Sequence, residues 1–319
     1  MFLRSAIFLL CFVPILGFLC QENSPVYRFT IGDIRATVIY DGFLTFTTPP
    51  FFAPVEDVNA SYSACFRSID PLTLSQNVLV LDTEAGRVLI DPGARGGEEV
   101  PVLASAGLLF KNMRAAGIPP ESIDHVFLTH GHADHVSGLL GLEGGPAFPN
   151  AKLYVGVTEN RFWMTEPLPI SEDHPLRDTL LYRDGVAPYA PSLQLVEEDS
   201  SPLPGFRFMS NTGHSPGHNY IEVESNGETL IVSGDTWESK PDQLQNPDWQ
   251  IGTETDPPMA RRSRVKLLRK VARNRSLVLS FHEAFPGLGH VVKSGRRSFD
   301  WVVAPPRNIG TGVVQKCFS

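Results

Sequence analysis

Apolar residues recur along this chain in short runs separated by glycine, proline and acidic positions, a pattern of many strands with few helices. Phe29 to Tyr40 and Phe43 to Thr47 flank Asp41-Gly42, a dipeptide that predicts a hairpin turn. Val78 to Leu81 and Arg87 to Ile90 predict a second pair around Glu84-Ala85-Gly86. Glu98 to Ala116 has helical periodicity and runs into Gly117, a favoured helix stop. Further strands are predicted at Val126 to Leu128, Lys152 to Val155, Phe206 to Met209, Tyr220 to Glu224 and Thr229 to Ser233. Glu197 to Gly205 is polar, contains proline, and predicts a connection between two halves. Asp256-Pro257 predicts the cap and first turn of a helix with Val265, Leu268 and Val271 facing inward. No short-period repeat or low-complexity tract interrupts this order.

The first residues stand outside it. Met1-Phe2-Leu3-Arg4 is a short positive start, and Ala6 to Leu19 is an apolar run of about fourteen residues. That is the length of a signal-peptide core rather than of a bilayer span. Residues 1–20 are therefore expected to be a cleaved leader, residues 21–319 one enzyme domain, and the protein secreted or periplasmic. Leu16 to Cys20 has only a loose likeness to a lipoprotein site, because Leu19 is large where a small residue is needed. No other segment is apolar enough to span a membrane.

Composition is ordinary for a globular protein, with 42% apolar and 19% charged residues. A net charge of −8 argues against a nucleic-acid surface, which needs a basic stripe. The one basic cluster, Arg261 to Lys270, is expected to be the solvated face of the helix after Asp256. With Cys11 and Cys20 in the leader, Cys65 and Cys317 remain, either paired in an oxidising compartment or two unrelated thiols. Asn59-Ala60-Ser61 and Asn274-Arg275-Ser276 are glycosylation sequons if the source is eukaryotic. The partner expected is a small-molecule substrate, with a homodimer allowed for.

Candidate chemistry concentrates after the strand that ends at Leu128. Thr129 to Gly138 places His130, His132, Asp134 and His135 within six residues, around a turn at Gly131. His130 and His132 should point one way, while Asp134 and His135 face a second, adjacent point. Imidazole nitrogen and carboxylate oxygen are the ligands of zinc and similar divalent ions. Two ions need more donors, and three later segments offer them. His214 sits in a glycine-bounded turn, Asp235 lies at the Gly234-Asp235 tip of a buried strand that begins at Leu230, and Leu277 to His282 is a third strand ending in histidine. Each donor lies at or just past the end of an apolar strand, where loops build sites on a rigid scaffold.

The series His130, His132, Asp134, His135, His214, Asp235 and His282 resembles the ligand set of the metallo-β-lactamase fold superfamily. Val88 to Ala94, with its Asp91-Pro92-Gly93 turn, is similar to that superfamily's early hairpin. The stretches Gly234 to Trp249 and His282 to His290 resemble the branch containing methyl parathion hydrolase and the N-acyl homoserine lactonases. The resemblance implies an α/β fold, an αββα sandwich of two mixed sheets back to back with helices on the outer faces. It also implies two divalent ions, zinc first among them. His130, His132 and His214 would hold one, Asp134, His135 and His282 the other, and Asp235 would bridge both. Two ions about 3.5–4 Å apart can share a hydroxide that attacks carbon or phosphorus, with Asp134 and Asp235 as the catalytic carboxylates.

The activity so implied is hydrolysis of an ester, lactone or organophosphate bond. The alternatives are a non-hydrolytic metal-binding relative acting as a partner or redox protein, and a β-lactam or thioester hydrolase. Asp91 and Thr129 are expected to steady the site without ligating, and His218 and His290 to lie outside the ligand set. Phe51, Phe52, Phe162, Trp163, Trp237 and Phe285 are either pocket walls or core. Lactonases of this branch often carry a tyrosine shortly after the bridging aspartate, where this chain has Thr236-Trp237-Glu238.

Overall fold

The computed structural model describes residues 24–96, 100–141, 143–170 and 181–305. The leader, the pairing of Cys65 with Cys317, and Glu98 at the start of the expected helix fall outside those residues.

Two sheets form the middle of the molecule. The first runs β1 (Val26–Ile31), β2 (Ile34–Phe46), β3 (Leu72–Thr83), β4 (Gly86–Ile90), β5 (His125–Phe127), β6 (Lys152–Gly156), β7 (Leu193–Val196), in that spatial order. Its first four strands are antiparallel and its last four parallel, so the sheet is mixed. The second comprises β8 (Phe206–Ser210), β9 (Asn219–Ser225), β10 (Glu228–Val232), β11 (Leu277–Leu279), β12 (Leu288–Lys293) and β13 (Phe299–Val303), also in spatial sequence. Only β10 and β11 pair in parallel there. The polar stretch 197–205 joins the last strand of one sheet to the first of the other.

Alternation decides which faces meet. Phe29, Ile31, Leu79, Leu81, Val88, Ile90 and Phe127 of the first sheet pack on Phe206, Phe208, Ile221, Val223, Leu230 and Leu279 of the second. The opposite face of the first sheet buries Leu89, Val126, Leu128 and Leu153 under α2 (Leu109–Ala116), α4 (Val157–Met164) and α5 (Leu181–Val186). The opposite face of the second buries Ile231, Val278 and Val291 under α6 (Pro257–Asn274). Helix, sheet, sheet, helix is the αββα sandwich expected from the resemblance.

Three local expectations need correction. Asp41-Gly42 is not a hairpin turn. The turn is Gly32-Asp33, and β2 runs through Asp41-Gly42 as a bulge, with the register slipping between Tyr40 and Gly42. The buried Asp41 carboxylate accepts from the backbone N–H of Ala94 (2.8 Å) and Leu109 (2.6 Å), so tertiary hydrogen bonds replace the turn. A Cβ at Gly42 would stand 2.2 Å from the Ser105 carbonyl, which leaves that close approach to glycine. The expected helix up to Ala116 is also broken. A 3-10 turn at Pro101–Leu103 precedes α2, and only Leu109–Ala116 is α-helical, closed by a left-handed Gly117. Pro101 and Gly107 interrupt the periodicity.

The third correction concerns α6. Asp256 caps it by accepting from the Met259 N–H (2.9 Å), as expected. Its buried face is Ala260, Arg264, Leu267, Leu268 and Val271, with Val265 only half-buried. Arg264 thus leaves the solvated face. Its guanidinium pairs with the buried Glu254 and donates to the carbonyls of Thr236, Pro247 and Trp249. Among the described residues no helix is long and apolar enough to cross a membrane.

Candidate metal centre

Every donor singled out above reaches one end of the sandwich. β5 leads through Thr129 to His130 and His132, and the single turn α3 (Ala133–Val136) carries Asp134 and His135. The turn between β8 and β9 brings His214, the end of β10 brings Asp235, and the end of β11 brings His282. The side chains form two clusters: His130, His132, His214 and Asp235, and Asp134, His135, His282 and Asp235. Asp235 belongs to both.

The spacings test whether cations fit. Asp235 Oδ2 lies 3.6 Å from His130 Nε2, 3.3 Å from His214 Nε2 and 3.3 Å from His282 Nε2, while Oδ1 lies 3.1 Å from His135 Nε2. Asp134 Oδ2 stands 3.4 Å from His135 Nε2 and 3.3 Å from His282 Nε2. Ligands at 2.0–2.1 Å from one tetrahedral ion stand roughly 3.3 Å from each other. These separations match the edges of coordination polyhedra.

Ring tautomers agree with that geometry. His282 Nδ1 donates to the Ser75 carbonyl (2.9 Å), and His135 Nδ1 to Asp91 Oδ2 (3.0 Å). The Thr129 hydroxyl donates to Asp91 Oδ2 (2.7 Å) and accepts from His130 Nδ1 (3.0 Å). In all three rings Nδ1 carries a proton, which leaves Nε2 facing carboxylate oxygen, where a proton or a cation can stand between them. The buried Nε2 atoms of His130 and His135 and Oδ1 of Asp235 have no hydrogen-bond partner. The donor set fits two divalent ions.

Electrostatics differ between the clusters. Burial, followed by the neighbouring imidazoles His135 and His214 respectively, holds His130 and His132 well below the ordinary 6.5 and keeps them in the neutral, ligating form. Burial also opposes charge on His135 and His282, but there the carboxylates, Asp235 first, outweigh it and push both rings well above 6.5. Protons and a cation thus compete for the second cluster.

Asp91 and Thr129 steady the rings without reaching the centre, in keeping with their expected roles. His290 lies away from it on β12, donating to the Ser276 carbonyl (2.9 Å). His218 is buried beside His130, and burial draws it down to about 3. Its Nδ1 donates to the Asn211 carbonyl, and its Nε2 accepts the backbone N–H of Asp235 (3.0 Å), which orients the bridging residue.

Several contributors were not visible in the sequence. Glu159 on α4 accepts from Gly131 N (2.8 Å), Trp163 Nε1 (2.6 Å), Ser215 Oγ (2.7 Å) and Gly217 N (2.9 Å). One carboxylate therefore ties the His130–His132 loop to the His214 turn. Gln76 Nε2 donates to Asp134 Oδ2 and to the Asp134 carbonyl (both 3.2 Å). Neither residue lies in a motif, and apart from Trp163, one turn along α4 from Glu159, their partners are distant in the chain. Glu238, buried three residues past Asp235, stands 3.6 Å from His282 Nε2.

The aromatic residues divide. Trp237 is fully buried under α6, and Phe51 and Phe162 belong to the cores. Phe285 packs on Tyr40 and only Phe52 is exposed. Trp163 sets its edge against His132, with ring centroids 5.8 Å apart.

The family model described as the metallo-beta-lactamase superfamily matches residues 72–282. The N-acyl homoserine lactonase AiiA of Bacillus thuringiensis subsp. kurstaki is 22% identical over 202 residues, 57% of this chain and 73% of its own. Among solved structures, the hydrolase AbOPH of the beta-lactamase superfamily superposes with a TM-score of 0.82 at 25% identity, over 90% of this chain and 100% of its own. AidC, a dizinc quorum-quenching lactonase in complex with its product, superposes with a TM-score of 0.80 at 23% identity and the same coverage.

Proposed function

The chain belongs to the metallo-beta-lactamase superfamily and is a metal-dependent hydrolase, and from that premise we propose that it uses two divalent ions to cleave an ester, lactone or organophosphate bond. One observation carries the reading: a single buried carboxylate, Asp235, faces four imidazole Nε2 atoms at 3.1–3.6 Å, two from each cluster. One cation cannot use all of those directions, whereas two can share the carboxylate.

His130, His132 and His214 would hold one ion, and Asp134, His135 and His282 the other, with Asp235 common to both. Zinc is the first choice for the imidazole-rich group. Such a pair supplies Lewis acidity toward a carbonyl or phosphoryl oxygen and brings the ionisation of water toward neutral pH. The chain's own residues supply position. Gln76 anchors one oxygen of Asp134, His218 fixes the backbone of Asp235, and Glu159 locks the two histidine loops together. Asp134 is the ligand that solvent reaches most, its side chain 13% accessible, so substrate meets the centre on that side. Its carboxylate would orient an attacking water.

The ester, lactone and organophosphate classes are supported by the lactonase relatives and by the likeness to AbOPH. A panel of aryl esters, acyl lactones, organophosphates and β-lactams, run on metal-loaded and chelated protein, tests the proposal. Turnover in one of the first three classes, lost on chelation and restored by two ions per chain, is expected. A fully active metal-free preparation would refute it.

A further inference from the structure

Positive charge gathers on one face of a chain whose net charge is −8. Arg262, Lys266, Arg269 and Arg273 are exposed and stand three or four positions apart, so they form a row along α6. At 1.5 Å per residue the row is about 16 Å long. It lines a cleft of about 1300 Å3 together with Lys293 at the end of β12 and Arg296 in the turn before β13, both exposed. Lysine and arginine supply nine of the lining residues, and aspartate two.

Acids within the chain do not answer this charge. Asp248 pairs with Arg261 and, at 3.7 Å, with Arg297, while Glu222 pairs with Lys270. Arg262 lies against Met259 Sδ (3.7 Å) and Arg273 against Asn274 Oδ1 (3.3 Å), neither of them an acid. Among the described residues, the six cations of the row and the turn have no carboxylate within ion-pair distance. Like charges three or four positions apart on a helix repel each other, so the row costs stability unless an anion from outside the chain lies along it.

The lining restricts what that anion can be. Its aromatic residues, Tyr220 and Phe299, are buried, so neither offers a face to a base or a sugar ring. Its apolar residues are buried or half-buried, which leaves none to enter a bilayer. Charge is what remains, and four of the six cations are arginines, whose planar guanidinium matches phosphate oxygens in pairs. We propose that this face of α6 binds inorganic polyphosphate, a polymer charged at every unit and without base, sugar or acyl group. The cleft shares no residue with the metal-donor clusters, and neither reading depends on the other.

End-labelled inorganic polyphosphate, titrated with the full chain at several salt concentrations and followed by fluorescence anisotropy, tests the proposal. Affinity should fall steeply with salt, because each engaged cation displaces a counterion from the polymer. Lys266→Gln/Arg269→Gln removes two charges from the middle of the row and should weaken binding about tenfold or more, with a shallower salt dependence. Lys293→Gln/Arg296→Gln, on a different element, should do the same and serves if the helix variant does not fold. Lys111→Gln/Arg114→Gln removes as much charge from the exposed side of α2, over the other sheet, and should change affinity less than about twofold. All three variants keep the metal centre, so any capture of its ions by the polymer is common to them. Equal loss in the α2 and α6 variants would overturn the site, as would absence of binding by the unsubstituted chain. Heparin, single-stranded DNA and phosphatidylserine vesicles serve as competitors. Any of them displacing the label at a lower concentration of charge than unlabelled polyphosphate would overturn the choice of ligand.

Discussion

At the scale of single residues, Asp235 is the position on which the centre depends most. Its two oxygens face both clusters, and its backbone N–H is held by His218. Asp235→Asn keeps the volume but removes the charge that lets two cations approach each other, and an amide bridges metals poorly. We expect loss of one ion and a fall in kcat/KM of about 10²-fold or more, a few kcal/mol of transition-state stabilisation. His290→Ala is the matched control, since its ring donates to the Ser276 carbonyl and it lies on β12, outside both donor clusters. It should keep both ions and cost little activity. Metal analysis with steady-state kinetics decides, and near-normal turnover with two ions in Asp235→Asn would end the two-ion mechanism.

At the scale of elements, the ligands lie beyond the ends of β5, β8, β10 and β11, and the bulge in β2 braces the same end of the first sheet. There Asp41 closes the loop at Ala94 and the start of α2 at Leu109, and Asp91 holds Thr129 and His135. Burial raises Asp41 from 3.8 to about 7, outweighing the backbone N–H groups of Ala94, Leu109 and Gly107 that favour its anion. Between those values the folded chain keeps a proton that the unfolded chain has released. Its contribution to stability is thus full below about pH 4 and is lost as the pH rises through about 7. Compared in chelated protein, the stability advantage of the unsubstituted chain over Asp41→Asn should shrink across that window by a few kcal/mol, on the order of one per pKa unit. Denaturant titrations at several pH values measure it, and a difference independent of pH would contradict this account.

At the scale of the molecule, the two sheets are joined by apolar contact over their inner faces and by the metal centre at one end. The first sheet and its loops supply His130, His132, Asp134 and His135, and the second supplies His214, Asp235 and His282. Cations that bind only the folded chain stabilise it by mass action, about 4 kcal/mol for an ion present at a thousandfold over its dissociation constant. Here they would also separate lone pairs and carboxylates that otherwise face one another in a buried site. Chelation should therefore lower Tm by several degrees or more while abolishing hydrolysis, and readdition of two equivalents should restore both. Calorimetric scans with and without chelator check this, and an unchanged Tm would argue that the halves do not depend on the ions.

The donor residues were legible in the chain because strand ends are. An apolar run followed within a few residues by histidine or aspartate places a polar side chain where the backbone leaves the sheet. That local reading, with the family resemblance, singled out His130, His132, Asp134, His135, His214, Asp235 and His282, which the structure brings together in two clusters. The rule fails where a distant partner overrides local preference. Asp41-Gly42 has the composition of a hairpin turn, yet remote backbone donors from Ala94 and Leu109 make it a bulge. Arg264 lies in a basic run that looks solvated, yet Glu254 and three carbonyls draw it inside. Glu159 and Gln76 carry no pattern at all, because their roles consist of contacts between segments far apart in the chain. Sequence periodicity records which face of an element is buried. What that face meets is decided only when the two sheets close on each other, and with it which buried acids find a partner and which are left for a cation.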